Sequence, residues 1–290
     1  MPLVNLKPVL REAKAKGYAV AAFNPVDYAS MKAMVKAAEE LNAPVIIQSS
    51  AKTIKYYGHK ALIGWMREIA GESPVPVVLH LDHGKDVEMI KKCVEMGWTS
   101  VMIDWSDKPF DVNLDQTRKV VDIATKAGIG VEAEIGEIHG VEDDMVVDAV
   151  HYTDPAEAEK FCRELDLAAF AAAIGTAHGY YKGEPDVKFD LIGEINRRTN
   201  TPMALHGGTG LDEQTIAKCI AGGCAKINIS TNLKHVFVES FVGYHRDNPK
   251  DFEPLRLIDA QYQACKELFK SKIAEFGGGG RAKELLSKAA

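Results

Sequence analysis

The chain has 290 residues, 46% of them hydrophobic, with 35 Lys and Arg against 41 Asp and Glu for a formal net charge of -6. That length suits one α/β barrel of roughly 250 residues better than two small domains, so a single domain over 1–290 is expected. The charges are interspersed, which argues against nucleic acid or a membrane surface as the main partner. An anionic ligand must therefore be held by local groups.

The N-terminal stretch MPLVNLKPVLREAKAKG is amphipathic and ends in glycine, the pattern of a capped helix rather than of a secretory signal. No run approaches the ~18 apolar residues of a spanning helix, and the expected location is cytoplasmic. β-rich runs follow at Ala19–Phe23, Val45–Gln48, Val75–His80, Ser100–Asp104, Gly130–Glu134, Ala168–Ala173, Pro202–Leu205 and Ala225–Asn228. Helical patterns separate most of them, at Tyr28–Leu41, Lys60–Ala70, Lys85–Met96, Phe110–Ala127, Asp154–Glu164, Phe189–Arg198 and Asp212–Ala221. Strict alternation demands a parallel sheet, and about eight strands is the number of a (β/α)8 TIM barrel. The predicted fold is that barrel, with an N-terminal capping helix and a C-terminal helical extension. Gly136–Tyr152 breaks the rhythm as a long polar loop of the kind that serves as lid, substrate arm or oligomer contact. Asp247–Pro254 precedes a last helix, and Gly277–Gly280 is expected to be a flexible hinge. Five widely spaced cysteines in apolar contexts suit reduced thiols that fill the core.

Three histidines stand at predicted strand ends, each followed by glycine: His83 in VVLHLDHG, His178 in AAAIGTAHG and His206 in PMALHGG. A parallel barrel gathers its strand ends into one mouth, where three imidazoles with an open fourth position make a catalytic zinc site. The glycines read as turns whose backbone approaches a ligand. Each histidine taken singly is equally well a hydrogen-bonded core residue, and His80, His139 and His151 are expected to be structural or substrate-facing. Asp82, Asp104, Glu132 and Glu134 also lie at strand ends. Glu132 and Glu134 share one face, where a cation would stabilise them; the competing expectation is pairing with Lys226. The small-residue runs His206–Gly210 and Asn228–Asn232 place backbone N–H groups and hydroxyls where barrels hold phosphate, without needing lysine.

These segments resemble the class II, metal-dependent aldolases that cleave fructose and tagatose bisphosphates. AFN at Ala22–Asn24, HLDHG at His80–Gly84, VMID at Val101–Asp104, VEAEIG at Val131–Gly136, AIGTAHGYYKGEP at Ala173–Pro185, LHGGTGL at Leu205–Leu211 and KINIST at Lys226–Thr231 carry the resemblance over nearly the whole chain. It implies Zn2+ held by His83, His178 and His206, with Asp104 and Glu134 at a second or alternate cation location, divalent or monovalent. It implies Asp82 as acid/base at the C4 hydroxyl of a phosphorylated ketose and Glu142 as a mobile acid/base at the dihydroxyacetone phosphate end. Asn228 is expected at the enediolate oxygen, the bland alternative being a helix cap. Gly179, Gly207, Gly208, Thr209, Asn228, Ser230 and Thr231 are implied in the C1-phosphate pocket, with Asn24 and Ser50 also among substrate-binding positions. The same resemblance implies a homodimer or homotetramer.

Departures concern the distal half of the substrate. Relatives often read D-G-S where this chain has Asp104-Trp105-Ser106, a glycine where it has His139, and D-P-R-K where it has Glu253-Pro254-Leu255-Arg256; the residue after Thr231, often acidic, is Asn232. Arg256, Lys52, Lys55 and Ser50 are alternative partners for a C6 anion, each equally explained as solvated surface. Fructose 1,6-bisphosphate is the leading substrate, with a ketose 1-phosphate bearing another C6 group as the alternative: a sulfonate, a hydroxyl or a deoxy-keto sugar acid. A metal-dependent sugar isomerase and a non-catalytic companion subunit are the rival functions. The second would be expected to have lost Asp82 or a zinc ligand.

Overall fold

In the computed structural model, which describes residues 3–142, 145–147, 151–181, 183–283 and 285, eight parallel strands close on themselves. In chain order the strands are β1 (Val20–Phe23), β2 (Val45–Ser50), β3 (Val77–Gly84), β4 (Ser100–Ile103), β5 (Gly130–Ile135), β6 (His139–Glu142), β7 (Met145–Val147), β8 (Ala169–Ala172), β9 (Ala177–His178), β10 (Met203–Leu205) and β11 (Cys224–Ile229). The barrel runs β1-β2-β3-β4-β5-β8-β10-β11 and back to β1, each strand pairing with its neighbours in sequence. This is the (β/α)8 TIM barrel. All eight predicted barrel strands are present, with β2 and β3 running further toward the mouth than expected.

Helices α2 (Tyr28–Glu40), α4 (His59–Gly71), α5 (Val87–Glu95), α6 (Phe110–Lys126), α7 (Pro155–Glu164), α8 (Phe189–Thr199) and α9 (Glu213–Ala221) surround the barrel close to their predicted bounds. One short helix, α3 (Ala51–Tyr57), was not predicted, because seven residues carry too little periodicity to register. Helices α10 (Thr231–Asp247) and α11 (Pro254–Glu275) complete the chain's helical extension. Among the described residues no helix is long and apolar enough to cross a membrane.

Alternation along the strands builds two cores. Outward residues such as Phe23, Ile47, Leu79, Leu81, Val101 and Ile103 pack under the helices. Inward Val20, Ile46, Val78, Ala169 and Ala225 meet Leu6, Val9, Leu10 and Ala13 of helix α1 (Leu6–Lys16), which plugs the end of the barrel where the strands begin. Asn5 caps α1 by accepting from the Lys7 amide, and Gly17 ends it in a left-handed turn at φ 68°. Above this plug the barrel interior is polar. Alanines make room for it: Ala169 and Ala171 stand opposite Glu132 and Glu134, and Ala204 stands opposite Lys226.

The segment expected as a long loop contains a hairpin of β6 and β7, and β6 also pairs with β9. The run Gly277–Gly280 is no free hinge. Gly278 donates to Ile273 O at 3.0 Å and Gly280 to Leu41 O at 2.9 Å, so it terminates α11 against the end of α2. The five cysteines are unpaired and, except for the half-buried Cys162, fully buried.

Candidate active site

His83, His178 and His206 arrive from the ends of β3, β9 and β10 and converge. Nε2 of His83 lies 2.9 Å from Nδ1 of His206. The His178 ring centroid is 5.3 Å from that of His83 and 5.9 Å from that of His206. One ligand-capable nitrogen from each histidine lies within 4.8 Å of the other two.

The backbone explains the convergence. Inward alternation along β3 takes His80 and Asp82 into the barrel, and the next residue would face outward. His83 instead adopts φ 46°, uncommon without glycine, and this turns its ring to the mouth beside Asp82. A Cβ at Gly84 would lie 2.4 Å from Met102 O, and one at Gly207, where φ is 71°, would lie 2.3 Å from Ala177 O. At these two turns the space left by glycine is therefore filled by a neighbouring strand end, which is what brings the histidines together.

Two of the imidazoles are oriented by buried carboxylates. His83 Nδ1 meets Asp104 Oδ2 at 2.9 Å, and His206 Nε2 meets Glu132 Oε1 at 2.8 Å. Asp104 also accepts from Ser106 Oγ at 2.7 Å. Burial works against a charge on Asp104, but the His83 hydrogen bond, the neighbouring His83 and Lys85 and the Ser106 hydroxyl hold its carboxyl well below the usual range. Glu132 behaves alike: burial is outweighed by Lys226, at 2.9 Å, and by His206 and His80. Glu132 thus takes the lysine-paired role. His80 is buried between Ser100 Oγ, at 2.8 Å, and Glu132, and burial pushes its pKa well down, as suits a structural neutral imidazole.

The donor chemistry fits one divalent ion. Three imidazoles face one small space, and two are fixed from behind by carboxylates, as in histidine-ligated zinc. A second set, His83, Asp104 and Glu134, shares His83 and also has its ligand atoms within 4.8 Å of one another.

Asp82 is buried and held by amides. Asn24 Nδ2 donates to Oδ2 at 2.8 Å, Gln48 Nε2 to the same oxygen at 3.2 Å, and Asn228 Nδ2 to Oδ1 at 3.4 Å. Asn228 Nδ2 is also 3.4 Å from His206, so it lies between the acid and the histidines. Asn24 therefore grips Asp82. Gln48 was missed in the sequence, though a polar residue two positions after inward Ile46 is its signal.

His178 separates two cavities. The larger, about 430 Å³, is lined by Ser50, Lys52, Lys55, Lys85, Asp104 and Glu134 among others. The smaller, about 20 Å³, is lined by Gly179, Gly207, Thr209, Asn228, Ser230, Thr231 and Lys234. Gly208 stands behind it, where a Cβ would meet Ile227 at 2.8 Å. Lys234, one turn into α10, also lines it and was not anticipated in the sequence. Tyr181, also unanticipated, accepts from the Ala177 amide at 3.1 Å and donates to Gly207 O at 2.8 Å, tying the His178 and His206 turns together.

Two expected residues stand apart. Arg256 belongs to a different pocket, with Asn248, Pro249, Lys250 and Asp251, where two nitrogens grip Asp251 at 2.7 Å each. Glu142 lies on β6, its backbone opposite Met145, and its side chain lies outside the described residues, as does that of His139. His151 is exposed.

With this geometry in place, similarity to known proteins is informative. The family model described as "Fructose-bisphosphate aldolase class-II" matches residues 4–281. A fructose-bisphosphate aldolase of Staphylococcus aureus is 38% identical over 288 residues, covering 98% of this chain and 100% of that protein. A 6-phospho-5-dehydro-2-deoxy-D-gluconate aldolase of Bacillus licheniformis is 40% identical over 286 residues, covering 97% of both. The crystal structure of the YdjI aldolase from Escherichia coli K12 superposes with a TM-score of 0.85 at 31% identity, over 97% of this chain and 99% of that one. Barrel, strand-end histidines and full-length similarity agree: the chain belongs to the class II fructose-bisphosphate aldolase family and is an aldehyde-lyase.

Proposed function

We propose that the chain is a zinc aldolase that reversibly cleaves a ketose 1-phosphate into dihydroxyacetone phosphate and an aldehyde, with fructose 1,6-bisphosphate or tagatose 1,6-bisphosphate as leading substrate. The observation that carries this reading is the pair of cavities meeting at His178. One has the donors for a phosphate, the other has room for the leaving aldehyde; His178 lines both, and Asn228 of the smaller cavity reaches Asp82 and His206.

The family is generally metal-dependent. In this reading His83, His178 and His206 hold zinc, with Asp104 and Glu134 beside His83 for a second or alternate cation. The bound ion supplies Lewis-acid stabilisation of negative charge developing on the ketose oxygens. Asp82 removes the C4 hydroxyl proton as the C3–C4 bond breaks, and returns it in condensation. Asn24 and Gln48 fix that carboxylate from one side, leaving Asn228 to bridge it to the enediolate oxygen. Glu142, on the hairpin, serves as the acid/base at C3 of the dihydroxyacetone phosphate half. Backbone amides around Gly179 and Gly207, the hydroxyls of Thr209, Ser230 and Thr231, the N-terminus of α10 and Lys234 hold the C1 phosphate, with Gly208 packing behind them. Ser50 faces the aldehyde half. In this reading the chain works as a homodimer or homotetramer, and Arg256, paired with Asp251 outside the mouth, takes no part in the chemistry within one copy.

A second reading is favoured by the 40% identical relative: the same bond cleavage on 6-phospho-5-dehydro-2-deoxy-D-gluconate, whose tail is a carboxylate. Incubating the metal-loaded protein with each of the three sugars and assaying dihydroxyacetone phosphate tests both. Release from a bisphosphate supports the first, release from the sugar acid alone supports the second, and release from none counts against aldol cleavage of these sugars.

A further inference from the structure

Lys85 follows Gly84 at the end of β3, with its side chain 36% exposed and its Nζ 3.8 Å from Asp104 Oδ2. Its main chain is pinned by the next strand end, since the Trp105 indole Nε1 donates to Lys85 O at 3.0 Å. Trp105 is itself partly buried and packed against the core. The strand end that gives Asp104 to His83 therefore also fixes Lys85 at the wall of the larger cavity. From another side of that cavity, α3 supplies Lys52 and Lys55.

Among the described residues, five acidic ones line the same cavity, Asp86, Asp104, Asp107, Glu134 and Glu137; Asp104 is shared between Lys85 and the histidine side, Glu134 lies 3.9 Å from His83 Nδ1, and two of the others have partners of their own. Asp104 serves His83 and Ser106, Asp86 caps α5 through the Glu88 amide at 3.0 Å, and Asp107 pairs with Lys108 at 2.9 Å. Arg256 is gripped by Asp251 in a separate pocket. None of the three lysines is needed for proton transfer at Asp82.

We propose that Lys85, held in place by Trp105, is a specificity-determining residue. With Lys52 and Lys55 it recognises an anionic terminus, phosphate or carboxylate, at the end of the substrate farthest from the dihydroxyacetone phosphate moiety. This rests on the aldolase reading and adds the residue that selects the leaving aldehyde. An ammonium at a cavity wall, partly shielded from water, attracts an anion more strongly than one in bulk solvent. Lysine is a compact charge with three rotatable donors, so it accepts a tetrahedral or a planar anion. Trp105 is a positioning residue that acts through the Lys85 main chain.

The test compares kcat/KM on fructose 1,6-bisphosphate, 6-phospho-5-dehydro-2-deoxy-D-gluconate and fructose 1-phosphate for the metal-loaded wild type, Lys85→Met, Lys85→Arg, Trp105→Phe and Trp105→Phe combined with Lys85→Met. Because Lys85 also neighbours Asp104, absolute rates respond to either role, whereas the preference for an anionic over a neutral tail responds to recognition. That preference ratio is expected to fall ~10- to 100-fold in Lys85→Met, chiefly through KM. It should return to within about threefold of wild type in Lys85→Arg, which keeps the charge. Trp105→Phe keeps the ring but loses the donor, so it should lower the ratio alone and add nothing to Lys85→Met. The anion with the larger wild-type preference identifies the tail. An unchanged ratio in Lys85→Met, or a wild type indifferent to the tail, overturns the proposal while leaving the aldolase reading intact. Cleavage of none of the three overturns both.

Discussion

His83 Nε2 and His206 Nδ1 lie 2.9 Å apart, with their rings 88° from coplanar, although 123 residues separate them in the chain. Two imidazoles presenting nitrogens so closely share either one proton or one ion. The carboxylates behind them, Asp104 and Glu132, already engage the opposite nitrogen of each ring, which favours the ion.

Replacing His83, His178 or His206 singly by alanine is expected to remove both zinc and turnover, since two imidazoles leave an open set. Metal content of the purified variants, read beside activity, checks this; a variant that keeps one zinc per chain speaks against that residue as ligand.

Asp82→Ala is expected to retain zinc and lose roughly 10²- to 10⁴-fold in kcat, the range for a positioned acid/base. Asp82 contacts amides rather than the histidines, so the two readouts should separate.

Glu132 and Lys226 form a buried pair at 2.9 Å. Glu132→Gln and Lys226→Met should each cost about 3–5 kcal/mol by stranding the other charge, and the double variant should cost less than their sum. Denaturant melts of the four proteins measure this coupling, and strict additivity would rule it out.

Tyr181→Phe removes the hydroxyl that joins Ala177 N to Gly207 O. A loss of about 1 kcal/mol in stability is expected, with KM for the phosphorylated ketose rising more than kcat falls. An effect on kcat alone would place the hydroxyl in the chemistry instead of in the turn.

The barrel was legible because each strand is bounded by helical periodicity and because strand ends carry His, Asp and Glu in ordered motifs. The hairpin of β6 and β7 was not, since His139–Val147 is polar and glycine-bearing, and its order comes from pairing with β9 far along the chain. The three converging histidines were visible in sequence, but the cause of their convergence was not: His83 reaches the mouth through a left-handed backbone, and Gly84 and Gly207 accommodate carbonyls of neighbouring strands. Lys85, Tyr181 and Lys234 escaped notice because nothing local distinguishes them from solvated or core residues until the strands close, whereas Gln48 has a local signal in its polar place two positions after inward Ile46. The expectation for Arg256 rested on its place in the tail, and its bond to Asp251 depends on the turn between α10 and α11.

The most direct test of the central claim is release of dihydroxyacetone phosphate from fructose 1,6-bisphosphate and tagatose 1,6-bisphosphate before chelation, after chelation and after zinc is restored. The account predicts release that chelation abolishes and zinc returns. Undiminished release from protein shown to be free of metal would contradict it.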